Sequence, residues 1–211
     1  MCGRYALQQV GLEVAQALDA PLVGNLANPL LATRTNISPG ETILAARVVE
    51  GERVLAATHW GITRHVEGKR RQLINARSEG VLRERSMWRP MLVHMRLAIP
   101  ASGFFEWTGP KGARTANWIS TSELMVFAGI GTPDTMSRLA VSGVILTTPA
   151  SADVEPVHDR MPAILEPDAL DVWLDAALPP EDAMEVIRPV DGLTVQPVEG
   201  PPFDQTALGL V

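Results

Sequence analysis

Two β-rich runs, Thr42–Val49 and Arg53–Trp60, are separated only by Glu50-Gly51-Glu52. A connection this short joins antiparallel neighbours, because parallel strands need a crossover of a dozen residues or more. Leu124–Ile130 and Arg138–Thr147 are the strongest further strand candidates. Weaker ones are Gln72–Asn75, Leu97–Pro100, Gly103–Trp107, Met161–Leu165 and Leu193–Val198. Helical patterning covers Leu7–Leu18, Ser78–Met87 with Ser78 as N-cap, Asp168–Leu174 and Glu181–Ile187. Pro21–Pro29 and His65–Arg71 read as loops, Gly109–Arg114 as a turn, and the tail around Pro197, Pro201 and Pro202 as irregular. Many short strands with few helices predict an α+β fold, a mainly antiparallel sheet or barrel-like core with peripheral helices. The 211 residues suit one compact domain spanning 1–211, with residues 175–211 adding a helix, a strand and the tail.

A hydrophobic fraction of 46% with 20% charged residues is globular and excludes whole-chain disorder. No apolar run approaches the ~20 residues of a spanning helix, so no membrane role is expected. MCGRYALQQV lacks the apolar core and cleavage motif of a secretory signal, and one cysteine makes no internal disulfide. A reducing cytoplasm and a monomer are the expectation. No P-loop, dinucleotide glycine motif or metal-ligand spacing is present, so neither cofactor nor metal is expected. The net charge of −6 hides an asymmetry: residues 1–100 hold 13 Lys+Arg against 8 Asp+Glu, residues 101–211 only 5 against 16. Between Arg64 and Arg96, nine basic residues meet three acidic ones. Salt screens charges beyond ~8–10 Å, so such a face can bind phosphates on an acidic protein.

Four segments carry candidate chemistry. If Met1 is removed, Cys2 presents an amine and a thiol on adjacent carbons. Their ordinary pKa values, ~7.7–8.0 and ~8.5, make both usable nucleophiles near neutrality. With an aldehyde the amine forms an imine, and the thiol then closes a five-membered thiazolidine, which an internal cysteine cannot do. Ile74-Asn75-Ala76-Arg77-Ser78-Glu79 offers an amide that donates and accepts, and an arginine fork suited to phosphate. In Gly103-Phe104-Phe105-Glu106-Trp107, apolar neighbours would raise the glutamate's pKa toward proton-transfer range. Strand alternation would put Phe104 with Glu106 on one face and Phe105 with Trp107 on the other. His158-Asp159-Arg160-Met161-Pro162 supplies a histidine acid or base and a phosphate ligand. Each segment also has a structural reading: an inert cysteine, a helix start, a rim glutamate, a polar turn whose Asp159 and Arg160 pair.

Taken in order, Met1-Cys2-Gly3-Arg4-Tyr5, Asn36-Ile37-Ser38-Pro39, Trp60-Gly61, Asn75-Ala76-Arg77-Ser78-Glu79, Gly103-Phe104-Phe105-Glu106-Trp107 and His158-Asp159-Arg160-Met161-Pro162 resemble the SRAP family. These SOS-response-associated peptidases are also described as abasic-site processing proteins. The motifs span residues 1 to about 174. The resemblance implies a compact β-rich α+β fold with a positive groove. It implies that Cys2 crosslinks to the ring-opened aldehyde of an abasic site in single-stranded DNA as a thiazolidine, with associated lyase-type Schiff-base chemistry. Glu106 would move protons, His158 would assist sugar opening or the lyase step, and Asn75 would position Cys2 or the sugar. Arg4, Arg77 and Arg160 would hold phosphates, with Trp60 and Asn36 in the DNA-binding set. The protein would be cytoplasmic and nucleoid-associated when bound to DNA. After Trp60-Gly61 this chain reads Ile62-Thr63-Arg64-His65, without the proline and second tryptophan common in the family, while Arg64–Arg71 could grip a DNA backbone. Val198-Glu199 stands where the family usually has Val-Asn.

Two other function classes fit parts of the pattern. A thiol peptidase would use Cys2 as nucleophile and His158 as base, and would tolerate a blocked N-terminal amine. A single-stranded nucleic-acid binding module would combine basic residues with stacking rings. Aromatic residues make up only 5% of the chain, which limits such a module to a short site.

Overall fold

The computed structural model describes residues 3–24, 28–110, 112–134 and 137–198. The predicted hairpin is present as β3 (Thr42–Val49) and β4 (Glu52–Trp60), paired from Thr42↔His59 to Val49↔Glu52. Glu50 and Gly51 both take positive φ, 53° and 87°. That is the turn whose twist matches the flanking strands. Three longer strands complete the frame. β8 (Arg96–Thr108) pairs with β9 (Thr115–Asp134), and β9 pairs with β10 (Ser137–Pro149). β10 then lies parallel to β4 at Ser142↔His59 and Gly143↔Trp60, and β3 meets β8 at Ala46↔Ala98. The strands thus close a ring, β8–β9–β10–β4–β3–β8, antiparallel except where β10 meets β4. The fold is the single-domain, barrel-like α+β arrangement expected from the sequence.

Small residues permit the closure. A Cβ on Gly143 would sit 2.4 Å from Leu97 Cδ1, and one on Gly103 would sit 2.3 Å from the Trp118 ring. Inside the barrel, Tyr5 packs edge-on against Trp60 and Phe127 at 5.3 and 5.9 Å, and Phe104 against Phe127 at 6.0 Å. Phe105 faces the other way, into a smaller cluster with Trp118 at 4.9 Å and Trp107 at 6.3 Å. The alternation predicted along this segment is the one observed.

The remaining elements dress the barrel. β1 (Tyr5–Leu7) lies between β8 and β2 (Arg34–Ile37). β7 (Asn75–Arg77) and β11 (Arg160–Pro162) both pair with β10, and β12 (Thr194–Pro197) edges β9. The helices are short: α1 (Gly11–Ala17), α2 (Asn28–Leu31), α3 (Ser78–Val81), α4 (Arg89–His94), α5 (Ala169–Leu174) and α6 (Pro180–Ala183). Among the described residues no helix is long and apolar enough to cross a membrane.

Several local expectations are corrected. The polar stretch read as a loop at His65–Arg71 is a hairpin, β5 (Ile62–Val66) and β6 (Lys69–Leu73), turned by Glu67 and Gly68 at φ 52° and 73°. It pairs with no other strand, so no buried face imposed an alternating apolar pattern for the sequence to display. The helix expected over Ser78–Met87 stops at Val81. Gly80 weakens it, Val81 is its one buried anchor, and the cap position falls on Arg77 rather than Ser78. The predicted Leu7–Leu18 helix starts only at Gly11, because Leu7 belongs to β1. Glu181–Ile187 splits into α6 and a single 3-10 turn at Met184–Val186. Leu97–Pro100 and Gly103–Trp107 are one continuous strand. A register shift between Ala101 and Gly103 falls between the two predicted segments. Pro201 and Pro202 lie outside the described residues.

Candidate functional site

The site is assembled around the C-terminal half of β10. β7 runs beside it with Ile145 opposite Asn75 and Thr147 opposite Arg77. β11 flanks its other edge, with Thr147 opposite Pro162 and Pro149 opposite Arg160. Thr147 therefore stands between the segment bearing Asn75 and the segment bearing His158 and Arg160. The Arg160 guanidinium, 8% exposed, donates to both Glu79 carboxylate oxygens and to the Thr147 carbonyl and hydroxyl. The fork matches the carboxylate's two oxygens, which is the geometry that makes arginine the residue for this task. The Arg160 hydrogen bond is also the main reason the Glu79 carboxyl sits below its ordinary pKa, with Arg77 adding to the effect.

His158 follows a run of turns over residues 152–157 and is held by its neighbours. Its Nδ1 accepts the Arg160 backbone N–H at 2.9 Å and lies 2.8 Å from the Asp159 carboxylate. An amide can only donate, so that bond needs a lone pair on Nδ1 and leaves the ring proton on Nε2.

The N-terminal segment reaches the same region along β8. Tyr5 is opposite Phe104, and the Phe105 N–H donates to the Arg4 carbonyl at 2.9 Å. Arg4 also donates from Nη1 to Asn36 Oδ1 at 2.6 Å, tying β1 to β2. Glu106 is the next residue along β8 and is 4% exposed. Across from it, Asn117 donates to the Glu106 carbonyl and to Thr108 Oγ1. Trp60 links this segment to Asn75. Its ring packs on Tyr5, and its Nε1–H donates to the Ile74 carbonyl at 3.1 Å. Trp60 is wholly buried, so it supports the site from beneath and has no surface to offer a strand.

Beside Asn75 opens a cavity of about 530 Å³, lined by Arg77, Arg83, Arg85, Met87 and Trp88 among others. Arg77, Arg83 and Arg85 are exposed and, among the described residues, form no ion pair. By contrast, Arg34, Arg53, Arg89, Arg160 and Arg188 each face a carboxylate. Three arginines that face no carboxylate, Arg77, Arg83 and Arg85, therefore line one groove. A second, apolar hollow of about 520 Å³ near Leu124 and Leu165 touches none of the candidate site residues.

Of the sequence-predicted residues, Arg4 bonds Asn36, Trp60 joins β1 to the segment bearing Asn75, Glu106 follows next along β8, His158 and Arg160 lie on the other edge of β10 from Asn75, and Arg77 stands on the groove side. Cys2 lies outside the described residues, as does Glu199. Sequence analysis assigns no role to Glu79 or Thr147, which complete the Arg160 clamp. Glu79 carried a weak signal, two residues from Arg77 in the Asn75–Glu79 motif. Arg83, Arg85 and Trp88 were visible only as part of a basic stretch.

The family model for SOS response associated peptidases (SRAP) matches residues 1–200. Among curated relatives, the chain is 30% identical over 197 residues to the chicken abasic site processing protein HMCES. That alignment spans 76% of this chain and 59% of the chicken protein, so the chain covers less than two thirds of that relative's length. It is 28% identical to the Escherichia coli abasic site processing protein YedK, over 88% of this chain and 85% of that one. A solved phage-related protein of Bordetella bronchiseptica superposes with TM-score 0.77 at 29% identity, covering 94% of this chain and 95% of its own. A Bacteroides thetaiotaomicron structure shares the fold at TM-score 0.77 and 17% identity, each chain fully covered. The chain belongs to the SOS response associated peptidase family.

Proposed function

We propose that this protein processes abasic sites in single-stranded DNA by crosslinking to them through Cys2, once Met1 has been removed. The observation that carries the reading is the register of the N-terminal segment. Running back from Tyr5 opposite Phe104, the chain advances along β8 toward Glu106, and the Arg4–Phe105 bond continues that pairing. Cys2 stands two residues before Arg4 in the sequence. The relatives named for abasic-site processing supply the substrate class.

The chemistry balances without a cofactor. The neutral Cys2 amine adds to the C1′ aldehyde of the ring-opened sugar and expels water, giving an imine. The thiolate adds to the imine carbon, and the nitrogen takes up a proton, closing the thiazolidine. Glu106, shielded from water, relays protons between nitrogen and leaving water. His158 delivers or removes the proton that opens the sugar and serves the Schiff-base lyase branch. Asn75 orients the opened sugar. Arg4, oriented by Asn36, and Arg77 hold flanking phosphates. Arg160 acts one step back, fixing the segment that carries His158. Trp60 holds β1 and the Asn75 segment together.

The test is a single-stranded oligonucleotide with one abasic site, mixed with protein whose N-terminus is verified by intact mass. A covalent adduct should form without borohydride, and should be lost in Cys2→Ala and in protein retaining Met1. An adduct that survives a blocked amine would refute the thiazolidine. Peptide cleavage that survives the same block would instead favour thiol-peptidase chemistry at Cys2.

A further inference from the structure

The apolar hollow near Leu124 and Leu165 takes no part in the site described above. Its walls come from three parts of the chain: Leu18 at the end of α1, Leu124 and Val126 on β9, and Leu165, Leu170 and Val190 from the C-terminal third. Its volume of about 520 Å³ falls in the range of binding sites, and an open apolar concavity of this kind marks a place where a protein takes a partner.

The charge around it is one-sided. Among the described residues no lysine or arginine lines the hollow. Arg188, two residues from Val190, is taken by Glu166, and Arg53 by Asp171. Glu123 lines the hollow, and Asp19, Asp168 and Asp191 each adjoin a lining residue. These four acids are exposed, and none forms an ion pair among the described residues. Such a rim repels a phosphate backbone. Apolar side chains flanked by cations match both the floor and the rim.

The β9 backbone at this place is already engaged. On its edge away from β8, the Leu165 N–H donates to the Val126 carbonyl at 2.8 Å, and β12 pairs from Thr194 opposite Ser120 onward. Between them the Thr121 hydroxyl donates to the Glu123 carbonyl and accepts the Glu123 N–H, closing that stretch on itself. Side chains, rather than an added strand, must therefore fill the hollow, which is how a groove receives a helix.

We infer that the hollow docks an amphipathic helix of a partner protein. Leucine-type side chains of the helix seat in the hollow, and its lysines or arginines meet Asp19, Glu123, Asp168 and Asp191. The hollow shares no residue with the Arg77–Trp88 groove, so the inference stands apart from the chemistry at Cys2.

The probe is a fluorescein-labelled helical peptide of about 18 residues, with leucines at i, i+3, i+4 and i+7 spacing and lysines elsewhere. A leucine–glutamate peptide of the same pattern and a scrambled leucine–lysine peptide are the controls. Anisotropy is read at fixed moderate salt with the full chain as wild type, as Ala17→Phe, and as Glu123→Gln with Asp168→Asn. Ala17 lines the hollow, so the larger ring obstructs it. All three positions are exposed, and matching thermal melts establish that the variants fold. Wild type should bind the patterned leucine–lysine peptide at least about tenfold more tightly than either control. Ala17→Phe should weaken it about tenfold, and loss of the two rim charges about fivefold. Equal binding of either control peptide, or unchanged affinity in either variant, would overturn the inference. Self-association of the full chain that Ala17→Phe abolishes, read by sedimentation equilibrium, would give the hollow to a second copy and overturn it too.

Discussion

Removing the Glu79 carboxylate should loosen the protein at Arg160. The Arg160 side chain is only 9% exposed while that of Glu79 is 47% exposed, so one charge lies inside and the other at the rim. Two charge-assisted hydrogen bonds join them. Each is worth ~1.5–3 kcal/mol when buried. Solvent on the Glu79 side screens a good part of that, and Arg160 keeps its bonds to Thr147. Glu79→Ala should therefore cost about 2 kcal/mol, and Glu79→Gln, whose amide oxygen still accepts one bond, about 1 kcal/mol. For a chain of this size, 2 kcal/mol lowers Tm by roughly 4–8 °C. Urea titration of the three proteins followed by tryptophan fluorescence reads these values directly.

The pH dependence adds a second requirement. Arg160 holds the folded-state pKa of Glu79 below its ordinary value. Its contribution is fully present above the unfolded pKa of ~4.3 and is lost as pH falls through the lower folded value. The gap between wild type and Glu79→Gln should accordingly be constant near neutrality and close in acid. An exposed pair supplies the contrast: Arg89 and Glu181 are ion-paired at 2.7 Å on the surface, and Glu181→Ala should leave the urea midpoint unchanged. A Glu79→Ala midpoint indistinguishable from wild type, or a gap that widens toward acid, would refute the clamp.

Two further outcomes follow from the same geometry. Gly103→Ala puts a methyl 2.3 Å from the Trp118 ring and 2.7 Å from the Ile119 carbonyl, with β1 on the other edge of the strand. It should cost about 3 kcal/mol and alter the near-ultraviolet circular dichroism of Trp118. Arg77→Ala should weaken single-stranded DNA binding for every sequence tested and reduce the log–log salt slope by about 0.7, while stability stays unchanged.

Much of the fold was legible because buried sheets leave marks in a sequence. The β3–β4 hairpin was readable from Glu50-Gly51, where the backbone demands positive φ, and from the β-rich runs on either side. The Phe104–Trp107 alternation was readable because each face of that strand packs against a different cluster. The β5–β6 hairpin was not, since a ribbon exposed on both faces has no apolar period to show. Its Glu67-Gly68 turn was the one available sign. Helix ends were missed where one or two buried contacts, rather than propensity, set the length, as at Val81.

The sequence by itself determined the residue chemistry: a cysteine at position 2, a glutamate among aromatics, a histidine beside an acid and an arginine, and a cationic stretch in an acidic chain. Those are properties of side chains and of neighbours one or two residues apart. Which arginines remain available to a ligand was decided only by the tertiary structure. Arg160 is drawn inside by Glu79, a residue 81 positions away, while Arg77, Arg83 and Arg85 are left without a carboxylate. Trp60, which the family resemblance put in the DNA-binding set, is the buried link between Tyr5 and Ile74. Charge pairing and burial depend on which strands the barrel brings side by side, and the long-range pairing that closes the ring leaves no local signature in the chain.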